Sequence, residues 1–522
     1  MTYLEDLLKR AKSESAGKKR AEYTAVTETR ETPTSQVKTE EKMLIDQYGD
    51  VKIYKVRGDP LLLYEVPTPQ YKGEEKALID IILDISANTI NVNEALFQTQ
   101  AEKRARYFHK VMELIDTTPE LKIPAHSKEF YANAVVREIV GFGLIDPLIA
   151  DDALEEIMVI GVNKPTYIFH RKHQMMRTNI TFYADKDITD LIDRIARNVG
   201  RHIDNQSPLL DARLPDGTRV NATIRPISLN GSTITLRKFR SDPMSIIDLI
   251  NNNTLDYEAA AFLWMVVEGY GALPANMIIA GGTASGKTTT LNALIEFVPN
   301  FERIISIEDT AELQLPYDHW IRFEVRPPGL EGLGEITSDM LLKNALRMRP
   351  DRIVVGEIRA EEGYTLFSAM NTGHRGAMGT LHSNNAHETL IRLTNPPMQV
   401  PRIMLSALNF IVMQQRTYDR RKGLIRRVTE IAEMVPIEDD KLPEVQVLYK
   451  WDPVKDDLEN TGTPSHYFQS LAQYTGQPLE AINNELKERA RVLKELNEKG
   501  LRELDEICTV TQNYSLKKMG KF

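Results

Sequence analysis

A single cysteine, Cys508, stands among the 522 residues, so the chain has no partner for an intramolecular disulfide and no cysteine-rich zinc site. That scarcity points to a reducing cytoplasm. Long apolar runs are missing as well. None approaches the roughly 18–20 residues that cross a bilayer, and residues 259–267, among the longest, are followed by Glu268 and Gly269. The N-terminus runs straight into charge after residue 3, unlike a signal peptide. Any membrane contact is therefore expected to be peripheral, through a partner or a surface patch. Positive charge is not in excess either. The 65 Lys and Arg against 74 Asp and Glu give a formal net charge of −9, which offers no whole-molecule attraction for nucleic acid or acidic lipid. What is present, 42% hydrophobic and 27% charged residues, is ordinary globular composition, and the length calls for several domains.

Residues 1–45 mix Lys, Glu, Ser and Thr with few large apolar groups and read as a flexible segment, with a short amphipathic helix at 3–11. Strands are expected at 51–56 and 61–66, and apolar spacing of three and four predicts helices at 74–90, 94–115 and 131–140. Together, 46–150 read as a strand-and-helix subdomain. Short strands at 156–161, 166–171, 178–182, 209–214, 219–224 and 232–239, with a helix at 187–199, predict an α+β domain over 151–240. The Asn-ended stretch 241–254 reads as a linker. Beyond it, apolar strands at 277–280, 304–307, 353–355 and 378–381 alternate with helical segments, the pattern of a parallel sheet with crossover helices. Residues 255–522 are therefore predicted as an α/β domain, with a late strand pair at 425–435 and 445–450. A charged amphipathic helix at 479–496 reads as peripheral or oligomer-facing.

The strongest chemistry lies in Gly281-Gly282-Thr283-Ala284-Ser285-Gly286-Lys287-Thr288, which fits G-x-x-x-x-G-K-[ST] between a strand and a helix. The glycines let backbone N–H groups turn inward around phosphate oxygens. The cradle extends to Thr289, where the positive end of the helix favours the same anion. Lys287 supplies a point charge to the β- and γ-phosphates, and the Thr288 hydroxyl is suited to Mg²⁺. ATP with Mg²⁺ is the expected ligand set, with GTP not separated from it.

Hydrolysis also requires carboxylates that hold the metal and align a water. Strand 304–307 leads into Glu308, Asp309 and Glu312, and strand 353–355 leads into Gly356 and Glu357. The second is Walker B-like, with glycine where many P-loop enzymes carry aspartate. Glu357 is thus expected as base or as water-mediated Mg²⁺ partner, with the first cluster sharing the work in an order left open. A helix-capping role is the plainer alternative for any one of Glu308, Asp309 and Glu312. Over 371–382 two histidines accompany a strand. His382 is placed to sense the γ-phosphate, and His374 is the second candidate for sensing or catalytic support.

In order and spacing, these stretches resemble the secretion/pilus ATPase superfamily. Residues 283–288 are similar to its Walker A, 306–312 to its Asp box, 353–357 to its Walker B and 372–382 to its His box, while 211–221 and 234–239 are similar to its N-domain segments. The resemblance implies a RecA-like P-loop C-terminal domain, an α+β N-terminal domain and a helical N-terminal extension. It further implies a homo-hexamer with ATP between the two domains, and Arg213, Arg219 and Arg237 as the N-domain arginines that approach the nucleotide. Arg347 and Arg349 are candidates for a similar role across a subunit boundary. Segments 156–159, 178–180, 313–316 and 346–351 are similar to archaeal type IV filament ATPases, particularly the archaellum motor. The tetracysteine module of bacterial type II members has no counterpart. Implied partners are a polytopic membrane platform protein and accessory motor proteins, with peripheral contact at the cytoplasmic membrane. Archaellum rotation and pilus assembly remain alternatives. A nucleic-acid motor would call for a basic channel with stacking aromatics, which an acidic chain does not encourage. A nucleotide-gated scaffold would not require Lys287, Thr288 and Glu357 together.

Overall fold

The computed structural model describes residues 41–67, 74–90, 100–239, 242–328, 333–435 and 442–518. The segment 1–40, with the helix expected at 3–11, lies outside the described residues. The chain divides into two compact units, Met1–Arg240 and Ser241–Phe522.

In the first unit, β1 (Lys42–Tyr48), β2 (Val51–Val56), β3 (Leu62–Glu65), β4 (Leu154–Val159), β5 (Pro165–His170), β6 (Gln174–Thr181), β7 (Leu209–Arg213), β8 (Arg219–Thr223) and β9 (Thr233–Arg237) form one nine-stranded sheet. Its order is β1-β2-β3-β6-β5-β4-β9-β8-β7. Alternate residues turn inward, as the two-residue period of a strand requires, and the helix Asp185–Asn198 lays Ile188, Leu191, Ile192 and Ile195 on that face. Because β3 pairs parallel to β6, the sheet crosses the boundary expected at 150. Asp151 fastens the crossing: its carboxylate accepts hydrogen bonds from Tyr48 at 2.7 Å and from Tyr64 at 2.6 Å. The helices Glu74–Thr89, Gln100–Thr117 and Lys128–Ile139 bury Ile82, Val111 and Val135 in a core of their own.

In the second unit, β10 (Met277–Gly281), β11 (Ile304–Glu308), β12 (Trp320–Glu324), β13 (Arg352–Val355), β14 (Met378–Leu381), β15 (Phe410–Asp419), β16 (Gly423–Val435), β17 (Glu444–Asp452) and β18 (Asp457–Asn460) build a second nine-stranded sheet. The order is β12-β11-β13-β14-β10-β15-β16-β17-β18, parallel from β12 to β15 and antiparallel thereafter. Every residue of β10, β11, β13 and β14 is buried. Strands covered on both faces read as continuous apolar runs, which is why these four were legible. With the strands parallel, their carboxyl ends share one edge, and β14 lies between β13 and β10.

Two expectations change. The linker expected at 241–254 contains a helix, Ile246–Asn251, opened by a Ser245–Asp248 capping box and buried through Ile246, Ile247, Leu249 and Ile250. The asparagines that suggested a boundary end that helix, with Asn253 at φ 58°. The charged helix at the C-terminal side, Leu479–Glu498, is not peripheral. Its Arg489 is fully buried and donates to Glu268 at 2.5 Å and to Glu485 at 3.1 Å, with its guanidinium 4.6 Å from the Trp264 ring centre. Glu268 closes the equally buried helix Tyr257–Glu268. Charge pairing across two helices hides what a single-helix reading assigns to solvent.

Candidate functional site

β10 delivers Gly281 to a position where a side chain is sterically excluded: an added Cβ would lie 1.9 Å from the Gln414 carbonyl oxygen on β15. The loop then rises through Ala284 at φ 56° and Gly286 at φ 95° into the helix Lys287–Ile295. These left-handed conformations suit Gly286 and strain Ala284. Ser285 Oγ donates to the Gly282 carbonyl at 2.9 Å and closes the turn.

Lys287 is 7% exposed. Its Nζ donates to the Gly282 carbonyl at 2.9 Å and lies 3.4 Å from His382 Nδ1. Burial pulls the lysine below its ordinary pKa, with Glu357 pulling the other way. Among the described residues no carboxylate forms an ion pair with this ammonium. A half-desolvated cation beside a turn of backbone amides fits a polyphosphate. Thr288, in the first turn of the helix, and Glu357, just past β13, are the residues that would hold Mg²⁺. No three His, Cys, Asp or Glu side chains converge as a metal cage among the described residues. That donor set suits a cation that takes one or two protein ligands and completes its shell with phosphate and water.

Glu357 is held from two sides. Its Oε2 accepts from Arg359 Nη2 at 2.7 Å, and its Oε1 lies 3.3 Å from His382 Nε2. Burial pushes this carboxyl up, but the Arg359 hydrogen bond and charge, with His382 and Lys287, prevail and set it below the ordinary glutamate value. His382 stands between Lys287 and Glu357. Burial first, then the Lys287 charge, keeps it below the usual histidine range, and the ring faces lysine with Nδ1 and glutamate with Nε2.

Arg359 was not singled out from the sequence. It also donates through Nη1 to Asp309 at 2.7 Å, and so ties the end of β13 to the loop after β11. The available signal was its place two residues beyond Glu357 in extended chain, beside a cluster of acids. Glu308 is 2% exposed, and its Oε1 accepts from the backbone N–H groups of Glu312 at 2.8 Å and Leu313 at 2.9 Å. Burial pushes its carboxyl up to about 6, against those two hydrogen bonds, and its Oε2 has no hydrogen-bond partner among the described residues. The same side chain explains the glycine at 356. A Cβ there would lie 3.0 Å from Glu308 Cγ and 3.4 Å from its Cα. The stem of Glu308 thus crowds the place where a side chain at 356 would begin. Glu312 adds negative potential at Lys287.

Other expected residues lie elsewhere. His374 sits in the turn before β14, its N–H bonded to Ala369 at the end of the helix Glu362–Asn371. β14 begins at Met378 beside Met277, so His374 lies toward the amino-terminal edge of the sheet, opposite the phosphate-binding loop. Strand polarity separates two histidines that sequence had grouped. Arg347 and Arg349 precede β13 and lie toward that same edge. Arg213, Arg219 and Arg237, in the first unit, fall on one rung, with Arg213 paired to Arg219 and Arg219 to Arg237. They project from the face opposite buried Ala212, Val220 and Leu236.

Comparison with known proteins bears on this arrangement. The sequence profile described as "Type II/IV secretion system protein" matches residues 138–434. The uncharacterised protein MJ0781 of Methanocaldococcus jannaschii is 34% identical, with 72% of this chain and 75% of that one aligned. The putative conjugal transfer protein Rv3659c of Mycobacterium tuberculosis is 34% identical over 49% of this chain and 73% of its own. Among solved structures, the pilus retraction motor PilT with bound ADP matches with 21% identity, 56% of this chain and 82% of that one covered, and a TM-score of 0.40.

Proposed function

The chain belongs to the type II/IV secretion system protein family, and from that premise we propose that it is a Mg·ATP-hydrolysing motor. The observation that carries the reading is the convergence of Lys287, His382 and Glu357 at the carboxyl edge of β10, β14 and β13. The loop amides and Lys287 bind the phosphates, and Thr288 would hold the metal, with Glu357 reaching it through water. Mg²⁺, when bound, neutralises charge on the transferring phosphoryl group. His382 senses the γ-phosphate from beside Lys287. Glu357, kept ionised, orients and deprotonates the attacking water once Arg359 lets one oxygen go. Arg213, Arg219 and Arg237 are the further cations that would complete the charge balance.

The motor works as a homo-hexamer, peripheral to the cytoplasmic membrane, on a polytopic platform protein with accessory motor proteins, and does not act on nucleic acid. It drives an archaeal type IV pilus-like filament, either the archaellum or an assembly pilus. The archaeal texture of the sequence and its likeness to a Methanocaldococcus protein support that reading. Protein secretion is the second reading, favoured by the likeness to a putative conjugal transfer protein.

The test is steady-state phosphate release by the full chain with Mg·ATP across protein concentration, beside Lys287→Ala and Glu357→Gln. Release that rises per subunit with concentration and is lost in both variants is the expected result. Nucleotide bound without release would replace the motor by a switch.

A further inference from the structure

The loop that would cradle phosphate is braced from outside as well as by its own hydrogen bonds. Ala284, at its crown, keeps a left-handed φ of 56° that a Cβ-bearing residue adopts reluctantly. One side chain from far along the sequence fixes it: Arg426 on β16 donates through Nε to the Ala284 carbonyl at 2.9 Å. A hydrogen bond from a charged donor is among the stronger kinds. β15, the partner strand of the same hairpin, walls the loop from below. The Gln414 carbonyl lies 1.9 Å from where a Cβ of Gly281 would be, and Gln414 Nε2 lies 3.0 Å from that of Gly286. The next residue, Gln415, donates to the Asn384 carbonyl at 3.1 Å, two residues beyond His382. The β15–β16 hairpin therefore grips the phosphate-binding loop on one side and the His382 loop on the other.

The charge at 426 comes at a local cost. Arg416 stands opposite Arg426 in the antiparallel register, and like charges directly across a strand pair destabilise it. The contact to Ala284 gives Arg426 a use that its place in the hairpin alone does not.

We propose that Arg426 is a positioning residue for the nucleotide, which keeps the amides of residues 283–287 convergent by holding the Ala284 carbonyl, with Gln414 as the wall behind them. The inference rests on the nucleotide reading above. Backbone amides grip the phosphates shared by ATP and ADP. Loss of the Arg426 contact therefore weakens both nucleotides alike, which raises KM and leaves kcat nearly unchanged.

The experiment uses the full chain and compares Arg426→Ala, Arg426→Lys and Arg416→Ala with the unaltered protein. It measures Kd for Mg·ADP, KM and kcat for Mg·ATP, and amide hydrogen exchange across 282–288 without nucleotide. Arg426→Ala is expected to raise Kd and KM about tenfold, the effect of one charge-assisted hydrogen bond, to change kcat less than about twofold, and to speed exchange in the loop. Arg426→Lys, which keeps a donor, recovers most of the affinity. Arg416→Ala removes the same charge without touching the loop and leaves Kd within about twofold. Three outcomes overturn the proposal: unchanged Kd in Arg426→Ala, equal loss in Arg416→Ala, or no recovery in Arg426→Lys. Those outcomes sink only the positioning role. An unaltered chain that bound neither nucleotide would instead remove the functional reading, and the inference with it.

Discussion

Glu357 is surrounded by groups that pull it in different directions, and the balance is what makes it usable. Burial disfavours its charge, while Arg359 at 2.7 Å restores it. In the proposed mechanism, the same contact occupies an oxygen that would otherwise face the water. Replacing Arg359 by Ala removes the largest influence that lowers this pKa, so the Glu357 carboxyl rises toward or above the ordinary value. If Glu357 is the base proposed above, its protonated form is inactive, and the acid limb of the kcat/KM profile should move to higher pH, while activity above the limb persists. An acid limb that does not move would mean that another group titrates there. Position 356 makes a second point. The stem of Glu308 crowds Gly356 just past β13, which disfavours a side chain where an acid is common. Glu308 itself accepts from two backbone amides of the loop after β11, where no helix forms, so the helix-capping alternative weighed from sequence does not describe it.

At the scale of elements, the parallel strands were plain because burial on both faces forces continuous apolar sequence. The C-terminal helices were less so. Leu479–Glu498 carries charge on several faces, and one of those charges is Arg489, buried against Glu268 and Glu485. Breaking a buried ion pair from one side leaves the partner carboxylates uncompensated and costs about 3–5 kcal/mol. Arg489→Met should therefore lower the midpoint of urea unfolding markedly, whereas Arg491→Met, at an exposed pair on the same helix, should leave it within error. Similar midpoints for the two would show that the buried cluster adds nothing to stability.

At the scale of the whole molecule, the chain is two units, each with its own large sheet and core. Arg219 lies in the first unit, centred on a rung with Arg213 and Arg237, while Lys287 lies in the second. If those arginines serve the transition state, Arg219→Ala should reduce kcat by at least about tenfold, short of the full effect of an arginine finger, with the Kd for ADP kept. An unchanged kcat would take the rung out of the chemistry. The sequence by itself determined the phosphate-binding loop, the acids at the ends of β11 and β13, and the alternation of strand and helix, because each is written in neighbouring residues or in a local period. Only the tertiary structure decided that His374 and His382 part to opposite edges of a sheet, that Glu308 packs tightly against Gly356, that Arg359 and Arg426 reach the site, and that Arg489 turns inward. Those facts depend on strand polarity and on pairs brought together from distant positions, and no local pattern of residues carries that information.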